Sequence, residues 1–235
     1  MISKRTARLI SALPKPIGNF CARFMVKRYI SKYANITVVN EHRLKDVKEP
    51  AIFIANHLSN SDGPVLNKVL KDFDVTFVAG IKLSKNSLTN LGVGGIKTIP
   101  INPNTADKAA ITQTINHIKS GKSIFIFPEG TRSRTGSMIE AKKGILLIAK
   151  MTKAPIVPIG IEGTEKLLPI DDKDMGNEKF NHADVTVTIG EQFYLPERLG
   201  GEGKHEYEDR ALNYTMGNIA KLLSYDYRGF YADNK

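Results

Sequence analysis

The chain has 235 residues, a formal net charge of +10 and one cysteine, Cys21. That length is enough for one hydrophobic core with a small appendage. A single cysteine excludes an internal disulfide, and no Cys/His spacing typical of structural zinc is present. No apolar run approaches the roughly 18 residues that a membrane-spanning helix needs. The basic excess indicates a polyanionic partner, although charge of this size also serves solubility alone.

Residues 1–34 are predicted to form two basic helices, the first over residues 5–13, separated by Pro14 and Pro16. No acidic residue precedes Glu41. Because anionic lipid attracts each Lys or Arg near its surface by about 1 kcal/mol, we expect this segment to bind an anionic membrane. A helix packed on its own core is the alternative. The apolar stripe of the second helix comprises Ile17, Phe20, Cys21, Phe24, Met25 and Tyr29.

Residues 35–235 alternate between short apolar runs and amphipathic segments, which predicts one α/β domain. We expect a mixed, largely parallel sheet flanked by helices, with its functional site at the carboxyl ends of the strands. Strands are predicted at 51–55, 75–79, 123–127, 155–161 and 185–189, and helices at 63–70, 106–119, 142–150 and 207–223.

A polar loop, residues 56–62, follows the first of these buried strands; we call it the histidine loop. His57 leaves the strand directly, and Asp62 follows five positions later, a spacing that can return the carboxylate to the imidazole. A carboxylate on one ring N–H fixes the histidine tautomer and leaves the other nitrogen free to act as a general base. The alternative is a structural or exposed histidine beside an aspartate that caps a helix.

A second polar segment, residues 127–133, follows another predicted strand; we call it the glutamate turn. Gly130 permits a tight turn or a close approach to a ligand, and Arg132 offers a planar fork suited to phosphate. Glu129 could accept a hydrogen bond from a substrate hydroxyl or hold the arginine. A solvated basic turn is the alternative.

Together these segments resemble the glycerolipid acyltransferase family typified by lysophosphatidic acid acyltransferase. The resemblance covers residues 52–163 and rests on the paired motifs and their interval, since either motif alone is far less specific. The residues that carry it are Asn56-His57-x-Ser59-x-x-Asp62, Phe127-Pro128-Glu129-Gly130-Thr131-Arg132-Ser133, Lys142-Lys143-Gly144 and Ala154-Pro155-Ile156-Val157-Pro158-Ile159.

The resemblance implies an enzyme that moves a fatty acyl group from a thioester of coenzyme A or acyl-carrier protein to the hydroxyl of a lysophospholipid. The expected acceptor is 1-acyl-sn-glycerol-3-phosphate, which gives phosphatidic acid. His57 would be the general base and Asp62 its orienting partner. No metal or redox cofactor and no nucleic-acid partner are expected, and the protein would lie peripherally on the cytoplasmic face of a membrane. The implied substrate-binding residues are Glu129, Gly130, Thr131 and Arg132, with Asn56, Ser59 and Lys97 added to them.

The chain departs from the family pattern between the two motifs. The family often carries an arginine there for the acceptor phosphate, and the matching position here is Asn102 or Pro103, neither of which is charged. Lys97 or Lys82 could substitute, although lysine is a point charge and not a fork. Acceptors other than 1-acyl-sn-glycerol-3-phosphate therefore stay open.

Two rival functions use other features of the sequence. Ser59 and Ser61 lie beside His57 and Asp62, so a hydrolase with a serine nucleophile is conceivable, although the chain has no GxSxG elbow. A non-catalytic protein that binds nucleic acid or lipid would use the positive charge. Against nucleic acid, the chain shows no recognisable binding motif and has no tryptophan.

Overall fold

The computed structural model describes residues 10, 13–80, 96–102, 105, 107–171 and 178–233. The helix predicted over residues 5–13 lies almost entirely outside these residues, as do Lys82 and Pro103.

A seven-stranded sheet forms the centre of the protein, with the strand order β1-β7-β6-β2-β5-β3-β4. The strands are β1 (Ala34–Val39), β2 (Ile52–Ala55), β3 (Thr76–Gly80), β4 (Thr98–Ile101), β5 (Ile124–Ile126), β6 (Ile156–Glu162) and β7 (Ala183–Ile189).

The direction of each strand determines which strand ends lie together at the site. Strands β2 to β6 run parallel to one another, whereas β7 is antiparallel to β6 and pairs in parallel with β1. The sheet is therefore mixed and mostly parallel, as the sequence predicts. One sheet edge, which we call the carboxyl edge, gathers the ends of β2, β5 and β6 together with the beginnings of β1 and β7.

Helices cover both faces of the sheet. They are α1 (Lys15–Tyr33), α2 (Asp62–Val69), α3 (Lys108–Lys119), α4 (Gly144–Thr152), α5 (Thr164–Leu167) and α6 (Lys204–Ala220), with short 3-10 turns at Glu41–Asp46, Tyr225–Tyr227 and Gly229–Tyr231.

Alternating residues of β2 divide the core into two halves. Ile52 and Ile54 pack in a cluster with residues of α3, α4 and α6, whereas Phe53 and Ala55 pack with residues of α1, α2 and α5. All four residues are fully buried, which explains why the strand reads as a continuous apolar run. This burial on both faces makes β2 a rigid support for the residue that follows it.

Each strand and helix predicted within residues 35–235 is present, with its ends shifted by no more than three residues. The prediction missed β1 and β4, which are the two edge strands of the sheet. Strand β1 has alternating partial exposure, and β4 contains Pro100, a residue that strands tolerate mainly at edges. Both strands therefore lack the continuous apolar character that marks a buried strand.

Helix α1 confirms the second N-terminal helix, but its predicted apolar stripe divides in two. Cys21, Met25 and Tyr29 are partly buried, whereas Phe20 and Phe24 are exposed. The helix packs on the body of the protein through the buried Ile30, whereas the buried Ala22 packs with Ile10 in a separate small cluster. No helix in the described residues is both long enough and apolar enough to cross a bilayer.

Candidate active site

Asn56 ties the end of β2 to β6. Its side-chain N–H donates to the carbonyl oxygen of Ile161 at 2.8 Å, and its Oδ1 accepts from the Ile161 N–H at 2.9 Å. Both polar groups of this buried amide are thus bonded to backbone. Asn56 therefore lies beside the site, where its two hydrogen bonds to Ile161 fix the end of β2 from which His57 projects.

His57 and Asp62 meet as the sequence predicts. The histidine Nδ1 lies 2.7 Å from Asp62 Oδ2, and the same oxygen accepts the backbone N–H groups of Leu58 at 2.7 Å and Ser59 at 2.9 Å. The carboxylate is fully buried at the first turn of α2, where the helix dipole favours negative charge.

These contacts define which ring nitrogen of a neutral imidazole carries the proton. A carboxylate on Nδ1 places the ring proton there, which leaves Nε2 with the lone pair that can accept a proton. The imidazole retains 17% exposure, so a substrate can reach it. Phe127 stacks on one face of the imidazole, with ring centroids 4.0 Å apart and planes inclined by 13°. A substrate can therefore approach the imidazole only from its other face or from its edge.

Glu129 grips the backbone of the histidine loop. Its Oε1 accepts the His57 N–H at 2.9 Å, and its Oε2 accepts the Ile139 N–H at 3.0 Å. The Ser133 N–H donates to the His57 carbonyl oxygen at 2.7 Å. The glutamate turn therefore holds both backbone polar groups of the candidate base, and the hydrogen bonds of Glu129 are to backbone amides.

Burial changes the protonation of Glu129. Removal from water raises the pKa of this fully buried carboxyl from 4.5 to about 8, and the nearby Asp62 carboxylate adds to the rise. The two backbone donors oppose the shift because they favour the ionised form. Near neutral pH the side chain is therefore predominantly protonated.

Arg132 and Asn60 share an acidic partner that the sequence analysis missed. Arg132 Nη1 donates to Glu178 Oε1 at 2.8 Å, and Asn60 Nδ2 donates to Glu178 Oε2 at 2.7 Å. Glu178 lies more than forty positions after Arg132 in an irregular segment, and no motif surrounds it. Only the folded chain brings it to the two motifs.

Gly130 and Thr131 form the open side of the glutamate turn, and both are exposed. Gly130 has φ +71°, a left-handed conformation that favours glycine, and its N–H donates to the Phe127 carbonyl oxygen at 3.0 Å. This surface lies on the same turn as Arg132 and is open to a ligand.

The Ser59 hydroxyl forms its hydrogen bonds with groups other than the imidazole of His57. Its hydroxyl donates to the Leu168 carbonyl oxygen at 2.8 Å and lies 3.0 Å from the Ser61 hydroxyl. Both serines are fully buried, and within the described residues neither hydroxyl forms a hydrogen bond with His57. Neither serine therefore has the hydrogen bond to the candidate base that a serine nucleophile needs.

Lys97 does not join the site, which corrects the prediction that it could bind substrate there. It directly precedes β4, and its carbonyl oxygen accepts the Phe77 N–H, so it lies at the amino ends of the parallel strands. Four residues of β2 separate that edge from His57, or at least roughly 13 Å at about 3.3 Å per residue. The ammonium of Lys97 pairs instead with Asp74.

Asn102 directly follows β4 and is one of the two positions at which the family resemblance leads us to expect arginine. Its backbone and side-chain N–H groups donate to Asp107 Oδ2 at 3.0 and 2.8 Å. Asp107 in turn caps α3 by accepting the Ala110 N–H at 3.0 Å. Asn102 is therefore bonded to the residue that caps α3, and it adds no positive charge to the carboxyl edge.

Among the described residues, the fold and the site define an α/β protein with a buried carboxylate–imidazole pair at the end of a central parallel strand. Residues 35–162 match the family model described as Acyltransferase. The chain belongs to this acyltransferase family, which confirms the resemblance seen in the motifs.

Named relatives agree with this assignment. A chloroplastic 1-acyl-sn-glycerol-3-phosphate acyltransferase of Brassica napus is 26% identical over 176 residues, covering 75% of this chain and 50% of that protein. The Bacillus subtilis enzyme of the same name is 25% identical over 175 residues, covering 74% and 81%. The chain thus spans about half the length of the plant relative.

The same fold is present in the crystal structure of the 1-acyl-sn-glycerophosphate (LPA) acyltransferase PlsC from Thermotoga maritima. It superposes with a TM-score of 0.62 at 22% identity, covering 88% of this chain and 80% of that one. At this identity the likeness shows the fold.

The protonation of Glu129 predicts a pH-dependent stability. Since the folded-state pKa is about 8 and the ordinary value is 4.5, the folded protein holds this proton more tightly than the unfolded chain. The resulting stabilisation is complete below about pH 4.5 and is lost as the pH rises through 8. Glu129→Gln cannot titrate, so its free energy of unfolding should fall less between pH 5 and pH 9 than that of the wild type.

Urea unfolding at several pH values measures this difference. Glu191→Gln, which alters an 82% exposed carboxylate paired with Arg43, is the matched control and should retain the wild-type dependence on pH. Parallel pH profiles for the wild type and Glu129→Gln would contradict the assignment.

Proposed function

We propose that this protein transfers a fatty acyl group from an acyl thioester to the hydroxyl of a lysophospholipid. We propose 1-acyl-sn-glycerol-3-phosphate as the acceptor, which makes phosphatidic acid the product. The observation that carries the proposal is the 2.7 Å contact between His57 and the buried Asp62, with Arg132 of the second motif anchored to the same loop through Glu178 and Asn60. The printed names of the relatives support this choice of acceptor.

The geometry supports direct transfer without an acyl-enzyme. As the acceptor oxygen attacks the thioester carbonyl carbon, His57 Nε2 takes the hydroxyl proton. The tetrahedral intermediate then expels the thiolate, which receives that proton from the imidazolium, so the histidine ends the cycle neutral. Asp62 stabilises the imidazolium and preserves the tautomer. A general base of this kind contributes about 10²–10⁴-fold.

The arrangement of hydroxyls favours this route over hydrolysis through a serine nucleophile. Ser59 and Ser61 bond to each other and to backbone carbonyl groups. The acceptor hydroxyl therefore has no competitor for the imidazole among these serines. Thioesters of coenzyme A and of acyl-carrier protein present the same reacting carbonyl, and we propose that either serves as donor without a metal or redox cofactor.

We further propose that helix α1 places the active site at the cytoplasmic surface of a membrane, with the protein bound peripherally. An exposed apolar row supports this: Leu13, Ile17, Phe20 and Phe24 are between 40% and 71% exposed. Exposed Arg23, Lys27 and Arg28 flank the row and suit anionic headgroups. Because β1 begins at the carboxyl edge, α1 ends at the edge where His57 lies.

His57→Ala should reduce kcat by at least about 100-fold, because it removes the general base. Acyl transfer from a labelled thioester to lysophosphatidic acid measures the loss, and urea unfolding verifies the fold. His42→Ala changes an exposed histidine outside the site and should leave kcat unaltered. Turnover near the wild-type rate in a folded His57→Ala protein would refute the mechanism.

Arg132→Ala should raise the acceptor KM about tenfold or more and leave the donor KM nearly unchanged, since hydrogen bonds to a charged group contribute about 1.5–3 kcal/mol. Steady-state kinetics with each substrate varied in turn separates the two constants. Arg43→Ala, which removes an arginine paired with Glu191, is the control. An increase confined to the donor KM would assign Arg132 to the thioester and not to the acceptor.

Phe20→Ser/Phe24→Ser should release most of the protein from vesicles that contain anionic lipid, because it removes the two most exposed phenylalanines of α1. Sedimentation with vesicles measures the bound fraction. Phe230→Ser, which alters a phenylalanine 61% exposed elsewhere, should leave binding unchanged. Equal binding by the double variant and the control would show that this row does not face the lipid.

A further inference from the structure

The Glu178 carboxylate occupies a two-donor cradle between the two motifs of the site. Arg132 Nη1 reaches one oxygen at 2.8 Å, and Asn60 Nδ2 reaches the other at 2.7 Å. The glutamate side chain is 4% exposed and the arginine side chain 16%, so the pair is largely shielded from water. One donor comes from the histidine loop and the other from the glutamate turn.

The segment around Glu178 is anchored by contacts of its own. Phe180 packs on Tyr29 and Tyr33 of α1 with centroids 5.4 and 6.0 Å apart. The Asn181 N–H donates to the Leu167 carbonyl oxygen at 2.9 Å. These contacts hold the backbone two and three residues after Glu178 in place, which helps to direct its carboxylate at the cradle.

Such a cradle suits an anion with two adjacent oxygens. Two N–H donors that each take one oxygen of a carboxylate can equally take two oxygens of a phosphate monoester, and a phosphate dianion carries more charge. The side chain of Glu178 therefore has the shape and sign of a ligand group. It is also the acidic group that an incoming phosphate would meet at Arg132 Nη1.

We propose that Glu178 occupies the site of the acceptor's phosphate in the unliganded protein, and that Asn60 and Arg132 bind that phosphate after it displaces the Glu178 carboxylate. This inference rests on the proposed acyl transfer to a phosphate-bearing acceptor. It makes Glu178 a specificity-determining residue, because only an anionic headgroup replaces the charge that the cradle loses. An uncharged acceptor leaves Glu178 in place and therefore gains no hydrogen bond from Asn60 or Arg132.

Kinetics of Glu178→Ala and Glu178→Gln test the displacement. With the donor saturating, the KM for lysophosphatidic acid should fall about tenfold in Glu178→Ala and by a smaller factor in Glu178→Gln. The KM values for the donor and for monoacylglycerol, an uncharged acceptor, should not change. Glu191→Ala removes an exposed, arginine-paired carboxylate elsewhere and should behave as the wild type.

Binding of inorganic phosphate and of glycerol 3-phosphate, measured by calorimetry, tests the cradle without turnover. Both should bind Glu178→Ala at least tenfold more tightly than the wild type, and Arg132→Ala/Glu178→Ala should lose that gain. Tighter binding of lysophosphatidic acid alone, with neither small phosphate affected, would assign the effect to the lipid chain and overturn the proposal.

Two further results would also overturn it. An unchanged or raised acceptor KM in both Glu178 variants, with wild-type urea midpoints, would make Glu178 a structural partner of Arg132. If Glu178→Ala fails to fold, the same measurements on Glu178→Gln decide the question. Absence of acyl transfer by the wild type would reject the proposed function, whereas the phosphate measurements would still test the cradle.

Discussion

The burial of the Asp62 carboxylate is the constraint on which the site depends. A charge removed from water is stabilised by donors, and here three converge on Oδ2: the Nδ1 proton of His57 and two consecutive backbone N–H groups. The buried Oδ1 has no hydrogen-bond partner among the described residues. Satisfying this charge requires the histidine loop to fold back on itself over five residues. The same contacts orient the imidazole, so the hydrogen bonds that stabilise Asp62 also hold the candidate base in position.

The second motif has a different main role from the one its composition suggests. A glutamate followed by glycine, threonine and arginine reads as a ligand-binding turn, yet Glu129 and the Ser133 N–H hold the backbone of His57 from two sides. The buried, largely protonated Glu129 places no full charge beside Asp62 near neutral pH. Arg132, Gly130 and Thr131 are left as the parts of the turn that a ligand can contact.

The mixed direction of the sheet links this site to the N-terminal helix. Because β1 and β7 run opposite to the other strands, α1 ends at the edge where β2 and β5 finish. Phe180, two residues after Glu178, packs on the end of that helix. Helix α1 thereby connects the apolar row that we propose to face lipid with the cradle that we propose to bind the headgroup.

The sequence alone determined the α/β class, the five interior strands of the described sheet, the four longer helices that follow residue 51, and the pairing of His57 with Asp62. These features are local: apolar periodicity marks buried elements, and five residues of loop suffice to close the pair. It could not reveal β1 and β4, whose edge positions permit polar residues and proline. Only the tertiary structure showed that Lys97 lies at the amino ends of the parallel strands, away from His57. It also showed that Glu129 bonds to backbone amides and that Glu178 pairs with Arg132. Each of these depends on strand direction or on contacts between distant residues, and no local pattern records them.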